Sequence, residues 1–118
     1  MAATQNPVEY EGTVPLPAAQ AVQVAPEVLA YVVDLCRATR TSPSLSLGVS
    51  PRGATALLST AKAWAWLSGR DYVTPDDVKA LARPTLRHRV AVRPEAELEG
   101  VTGEGVLDGV LASVPVPR

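Results

Sequence analysis

Four residues could carry chemistry in this chain. Arg52 follows Ser50 and Pro51 and precedes Gly53. Ser50 suits a helix cap and Pro51 the first helical position, which puts Arg52 in the first turn of a helix. A cation there opposes the helix dipole by about 0.3–1 kcal/mol, and a bound anion would reverse that sign. Exposed backbone N–H groups, a guanidinium and a neighbouring glycine suit phosphate oxygens. Residue type alone leaves a solvated arginine open as the other reading. His88 is the only histidine and Cys36 the only cysteine. One of each cannot build a structural zinc site, and no nucleophile motif accompanies His88. Asn6 stands before Pro7 and by itself reads as a turn.

The charge distribution fits an anion site. Net charge is −1, yet residues 37–93 sum to +7 and the segments before and after to −4 each. Either the flanks simply neutralise the basic block or the block faces an anion such as a nucleotide. Arg87, Arg89 and Arg93 lack interleaved aromatics, so nucleic acid is not the expected partner.

The elements that must position Arg52 are helical. With 118 residues, 47% of them hydrophobic and no Phe, one small domain with an aliphatic core is expected. A first helix spans residues 26–40, with Val28, Leu29, Val32, Leu35 and Cys36 as its apolar stripe. Cys36 is expected as a small core residue. Residues 41–48 read as a Ser/Pro-rich loop. A second helix runs from Pro51 to about residue 68, stopped by Gly69. Its core face is Ala54, Leu57, Leu58, Ala61 and Ala65, with Trp64 at the edge and Trp66 on the opposite side. Thr74 caps a third helix, with Pro75 first and Asp77 closing a capping box between the staple positions Val73 and Val78. Pro84 is expected to break or kink it. Beyond Pro94 the chain is acidic and Gly-containing, with one further short helix over residues 106–112. The expected organisation is an irregular segment 1–25, a helical unit 26–90 and a tail 91–118. No signal peptide and no apolar run of membrane-spanning length is visible, so the expected location is the cytoplasm.

Several linked motifs carry a family resemblance. Gly48-Val49-Ser50-Pro51-Arg52, Gly69-Arg70-Asp71-Tyr72-Val73, Pro75-Asp76-Asp77-Val78 and Leu86-Arg87-His88-Arg89 occur in order at matching spacing. Together they resemble the C-terminal lid of MoxR-type AAA+ ATPases. The resemblance implies an all-α, small helical bundle of the AAA+ lid type. It assigns Arg52 as the sensor 2-like arginine that reaches the nucleotide phosphates, with Ser50 and Gly53 beside it. The run Ala3-Thr4-Gln5-Asn6-Pro7, with Glu9, Glu11-Gly12-Thr13 and Pro15-Leu16-Pro17, resembles the family's sensor 1 segment. Asn6 matches the asparagine that helps to position the attacking water.

The family couples hydrolysis of ATP, with Mg, to chaperone-like remodelling or metal insertion. The implied partners are an AAA+ core domain or neighbouring subunit and a protein client. The chain departs from the family where it lacks a phosphate-binding Gly-x-x-x-x-Gly-Lys-Ser/Thr loop and acidic metal ligands. The Asp-Arg-Phe segment that bears the family's arginine finger is also missing after Gln20, and Ala18 stands where a glutamate is usual. The expected product is a truncated or internally deleted piece that does not hydrolyse ATP alone. A non-enzymatic helical interaction module, using the apolar faces and Trp66, is the alternative.

Overall fold

The computed structural model describes residues 21–117. Five helices and a two-stranded ribbon follow in the order α1 (Pro26–Arg40), β1 (Leu45–Leu47), α2 (Pro51–Leu67), α3 (Pro75–Leu86), β2 (Ala91–Val92), α4 (Pro94–Leu98) and α5 (Gly103–Ser113). The helical bundle inferred from the sequence is the observed fold. Asn6 and the sensor 1-like run 3–20 lie outside the described residues.

Each of α1 to α4 starts with proline at its first position, where no N–H is needed. On α1, Glu27 opens the first turn and Arg37 and Arg40 close the last, in line with the dipole. Its buried residues are Val28, Tyr31, Val32, Leu35, Cys36 and Thr39. Leu29, expected in this stripe, is 46% exposed, and Tyr31 is 2% exposed. At about 100° per residue the stripe centres near Thr39, and Leu29 falls at its rim. Helix α2 buries Gly53, Leu57, Ala61 and Ala65. It ends in a Schellman motif: Arg70 N–H donates to the Ala65 carbonyl and Gly69 N–H to that of Trp66, with Gly69 at φ 84°.

Helix α3 has the full capping box. Thr74 Oγ1 accepts from Asp77 N–H, and Asp77 Oδ2 accepts from Thr74 N–H. Val73 and Val78 are both buried. Of the break or kink expected at Pro84, a break is not observed, since α3 continues to Leu86. Pro84 lies in the last turn on the exposed side. There, water can solvate the carbonyl left without a donor. The loop expected at residues 41–48 contains β1, which pairs antiparallel with β2. Pairing continues through Arg93 N–H to the Ser44 carbonyl at 2.9 Å. Helix α4, also not anticipated, is five residues long and buries none of its side chains.

One core joins these elements. It includes Val32, Leu35, Val49, Leu57, Ala61, Val78, Ala82 and Leu86, and also Val22, Leu107 and Val110. The packed unit therefore extends on both sides of residues 26–90. Helix α5, foreseen over residues 106–112, buries Leu107 and Val110 against α1 and α3. Outside the core, Glu104 on α5 pairs with Arg83 and Arg87, and Asp108 pairs with Arg83.

Candidate phosphate-facing site at the start of helix α2

The start of α2 is held in place from α1. Thr39 is 1% exposed, and its hydroxyl donates to the Cys36 carbonyl at 2.6 Å. The same oxygen accepts from Val49 N–H at 2.9 Å. Arg40 Nη1 donates to the Val49 carbonyl at 2.7 Å. Both backbone polar groups of Val49 are thus satisfied by the last turn of α1, and its side chain is wholly buried. Gly48 permits this close crossing: a Cβ there would lie 2.7 Å from the Arg40 Cα. Thr39, Arg40 and Val49 are positioning residues that motif reading did not identify. The available sign was a buried-face threonine, three turns along the stripe from Val28.

Ser50 is extended at φ −77°, ψ 168°, and its Oγ accepts from Gly53 N–H at 3.3 Å. The Ser50 carbonyl accepts from Ala54 N–H at 3.1 Å. Pro51 has no N–H. Among the first helical residues, Arg52 therefore retains the backbone donor not used in the cap. Its side chain is exposed and makes no hydrogen bond or ion pair among the described residues. Gly53 is buried. A Cβ there would lie 2.6 Å from Val49 Cγ1 and 3.3 Å from Arg89 Cδ. The space beside Gly53, expected to admit a ligand, is filled by the chain's own Val49 and Arg89. That contact brings the Arg89 side chain to the same helical turn as Arg52.

The other candidates separate from this site. Cys36 is 1% exposed, and burial pushes its thiol up, against a smaller opposing effect of Arg40. His88 is exposed. No three His, Cys, Asp or Glu side chains converge as a metal site among the described residues. No helix among them is long and apolar enough to cross a membrane. Trp66, expected opposite the core face, is 37% exposed, and Trp64, Leu67 and Tyr72 are exposed nearby in sequence.

The site can meet an anion but cannot by itself hold a complete nucleotide. Among the described residues it supplies one N–H and one guanidinium without a partner, and the positive end of a 17-residue helix. These fit phosphate oxygens. They supply no seat for a base and no acids for a metal.

Comparison with known proteins bears on the fold and the family. The family model described as AAA lid domain matches residues 37–109. "Uncharacterized protein YeaC" of Bacillus subtilis is 35% identical over an alignment covering 98% of this chain and 52% of that protein. "Protein MoxR" of Paracoccus denitrificans is 37% identical over 79% of this chain and 32% of that protein. "Chaperone MoxR1" of Mycobacterium tuberculosis is 28% identical over 98% of this chain and 46% of that protein. A solved structure of a "putative ATPase" from Cytophaga hutchinsonii superposes with a TM-score of 0.81 at 29% identity, covering 86% of this chain and 34% of that one. The chain thus spans about half or less of the length of the relatives it matches. The YeaC alignment runs over 166 positions against a chain of 118 residues, so at least 48 of those positions have no counterpart here. The chain therefore belongs to the AAA lid domain family and carries the lid of a MoxR-type AAA+ ATPase.

Proposed function

We propose that this lid serves ATP binding and hydrolysis by an AAA+ core, with Arg52 as its phosphate-sensing residue. The observation that carries the reading is the state of Arg52. It has no partner among the described residues and stands at the positive end of a helix whose start is held by hydrogen bonds from α1. ATP with Mg supplies the phosphoryl chemistry, and the core supplies the groups that this chain lacks. Arg52 orients and neutralises phosphate oxygens through its guanidinium. Ser50 and Gly53 act indirectly: the cap between them sets the direction from which Arg52 leaves the helix. Asn6 has the sensor 1-like role that the family resemblance implies.

The partner in this reading is an AAA+ core domain or neighbouring subunit in the cytoplasm, acting on a protein client in chaperone-like remodelling or metal insertion. Exposed Trp64, Trp66, Leu67 and Tyr72 offer apolar surface for such docking. The same side chains support the second reading, a non-enzymatic helical interaction module. A lid exchange separates the two. A MoxR-type ATPase whose own lid is replaced by this one should turn over ATP, and Arg52→Ala should lower turnover while Trp66→Ala weakens assembly. The interaction-module reading requires Arg52→Ala to be silent in every assay and Trp66→Ala alone to abolish partner binding.

A further inference from the structure

The motif Gly69-Arg70-Asp71-Tyr72-Val73 with Asp77 takes no part in the phosphate site, yet it builds a connected lock at the opposite end of α2. Asp77 is 3% exposed. Its Oδ1 accepts from Arg70 Nη2 at 2.7 Å and its Oδ2 from Arg70 Nη1 at 2.6 Å. Oδ2 also accepts the cap bond from Thr74 N–H at 2.8 Å. The Arg70 Nη1 that meets Oδ2 also donates to the Tyr72 carbonyl at 3.2 Å, and the guanidinium lies 5.8 Å from the centre of the Tyr72 ring. Tyr72 is 51% exposed, and Arg70 touches both its carbonyl and its ring outside the core.

Tyr72 is where the leading segment attaches. Gln23 forms a parallel bridge with it. Gln23 N–H donates to the Asp71 carbonyl at 2.8 Å, and Val73 N–H donates to the Gln23 carbonyl at 3.0 Å. Val22 beside this bridge is buried in the core, as is Val73.

We infer that the Arg70–Asp77 pair is a lock that makes residues 22–24 part of the lid body. A bidentate pair on a buried carboxylate is geometrically demanding, and Asp77 is shared between this pair and the α3 cap. The leading segment, the α2–α3 corner and the start of α3 therefore hold together or open together. Helix α2 then links this corner to Arg52 across 17 residues, about 25 Å. Only that last link rests on the phosphate reading of Arg52.

Hydrogen exchange on the full chain tests the lock without nucleotide. Asp77→Asn and Arg70→Lys should speed exchange at the Gln23 and Val73 amides by about tenfold or more relative to Leu57 and Ala61. The proposal is overturned if the four amides change together or not at all. Arg70→Lys keeps the charge but loses the fork, so it decides the matter if Asp77→Asn does not fold. If neither variant folds, the pair is a global stability element and the lock is wrong. An Arg52 that proves irrelevant to nucleotide leaves this result unaffected.

Discussion

Gly53→Ala sets two opposing effects against each other at the site. Replacing glycine by alanine inside a helix ordinarily stabilises it by about 0.5–1 kcal/mol. Here the new Cβ would stand 2.6 Å from Val49 Cγ1, about 1 Å inside an ordinary carbon–carbon contact. Val49 cannot move away easily. It is wholly buried, stiff at its branched Cβ, and tied at its N–H to Thr39 and at its carbonyl to Arg40. Overpacking of this kind costs about 1–3 kcal/mol, so the clash wins by about 1 kcal/mol or somewhat more. Urea unfolding of the free chain should show that loss, with a melting temperature several degrees lower. Val49→Ala with Gly53→Ala should be less damaging than the sum of the single changes, by about 1 kcal/mol. A Gly53→Ala chain as stable as the parent would refute this reasoning. It would mean that the missing side chain serves close approach by something outside the free fold.

Thr39→Val removes the hydroxyl that bridges Cys36 and Val49 and leaves a buried N–H without its acceptor, so it should cost about 1–3 kcal/mol in urea unfolding. Arg52→Ala should leave the free chain as stable as the parent or raise its stability by a few tenths of a kcal/mol, because a cation leaves the positive end of α2. Acid should weaken the fold with a definite sign. Burial raises the Asp77 carboxyl, but the bonds from Arg70 and Thr74 outweigh that effect and hold it below its ordinary 3.8. Arg87 and then Arg83 likewise hold Glu104 below its ordinary 4.5. A carboxyl lowered on folding stabilises fully above its unfolded pKa. This stability should therefore be intact above about pH 5 and decline as pH falls through 4 and below. Asp77→Asn should flatten that profile.

Local rules made much of this molecule legible. Proline at the first helical position located α1, α2 and α3, and the Thr74–Asp77 box marked a start that the structure reproduces bond for bond. Gly69 ended α2 because a left-handed residue was needed there. What escaped depended on distant partners. Leu29 or Tyr31 as the inward residue is decided by which side the core lies on, and both satisfy the period. Residues 45–47 form a strand because Ala91 and Val92 lie alongside, a pairing that no short-range pattern announces. The sequence presents Pro84 with the penalty of a helix interior, whereas its place near an exposed helix end removes most of that cost. At the site, Ser50, Pro51 and Arg52 were legible from capping rules. The clamp by Thr39 and Arg40 was not, because it joins residues nine and ten apart across a turn. A glycine beside Arg52 suggests room for a ligand, whereas a Cβ at Gly53 would meet Val49 and Arg89.

The most direct test of the central claim is the equilibrium affinity for ATP of a MoxR-type ATPase carrying this lid, with and without Arg52→Ala. One charge-assisted contact to phosphate is worth about 1.5–3 kcal/mol, which is about 10- to 150-fold in affinity. Weakening within that range, with the lid still folded and assembled, is the predicted result. Unchanged ATP affinity in a folded, assembled Arg52→Ala enzyme would contradict the assignment of this helix start as the phosphate-facing site.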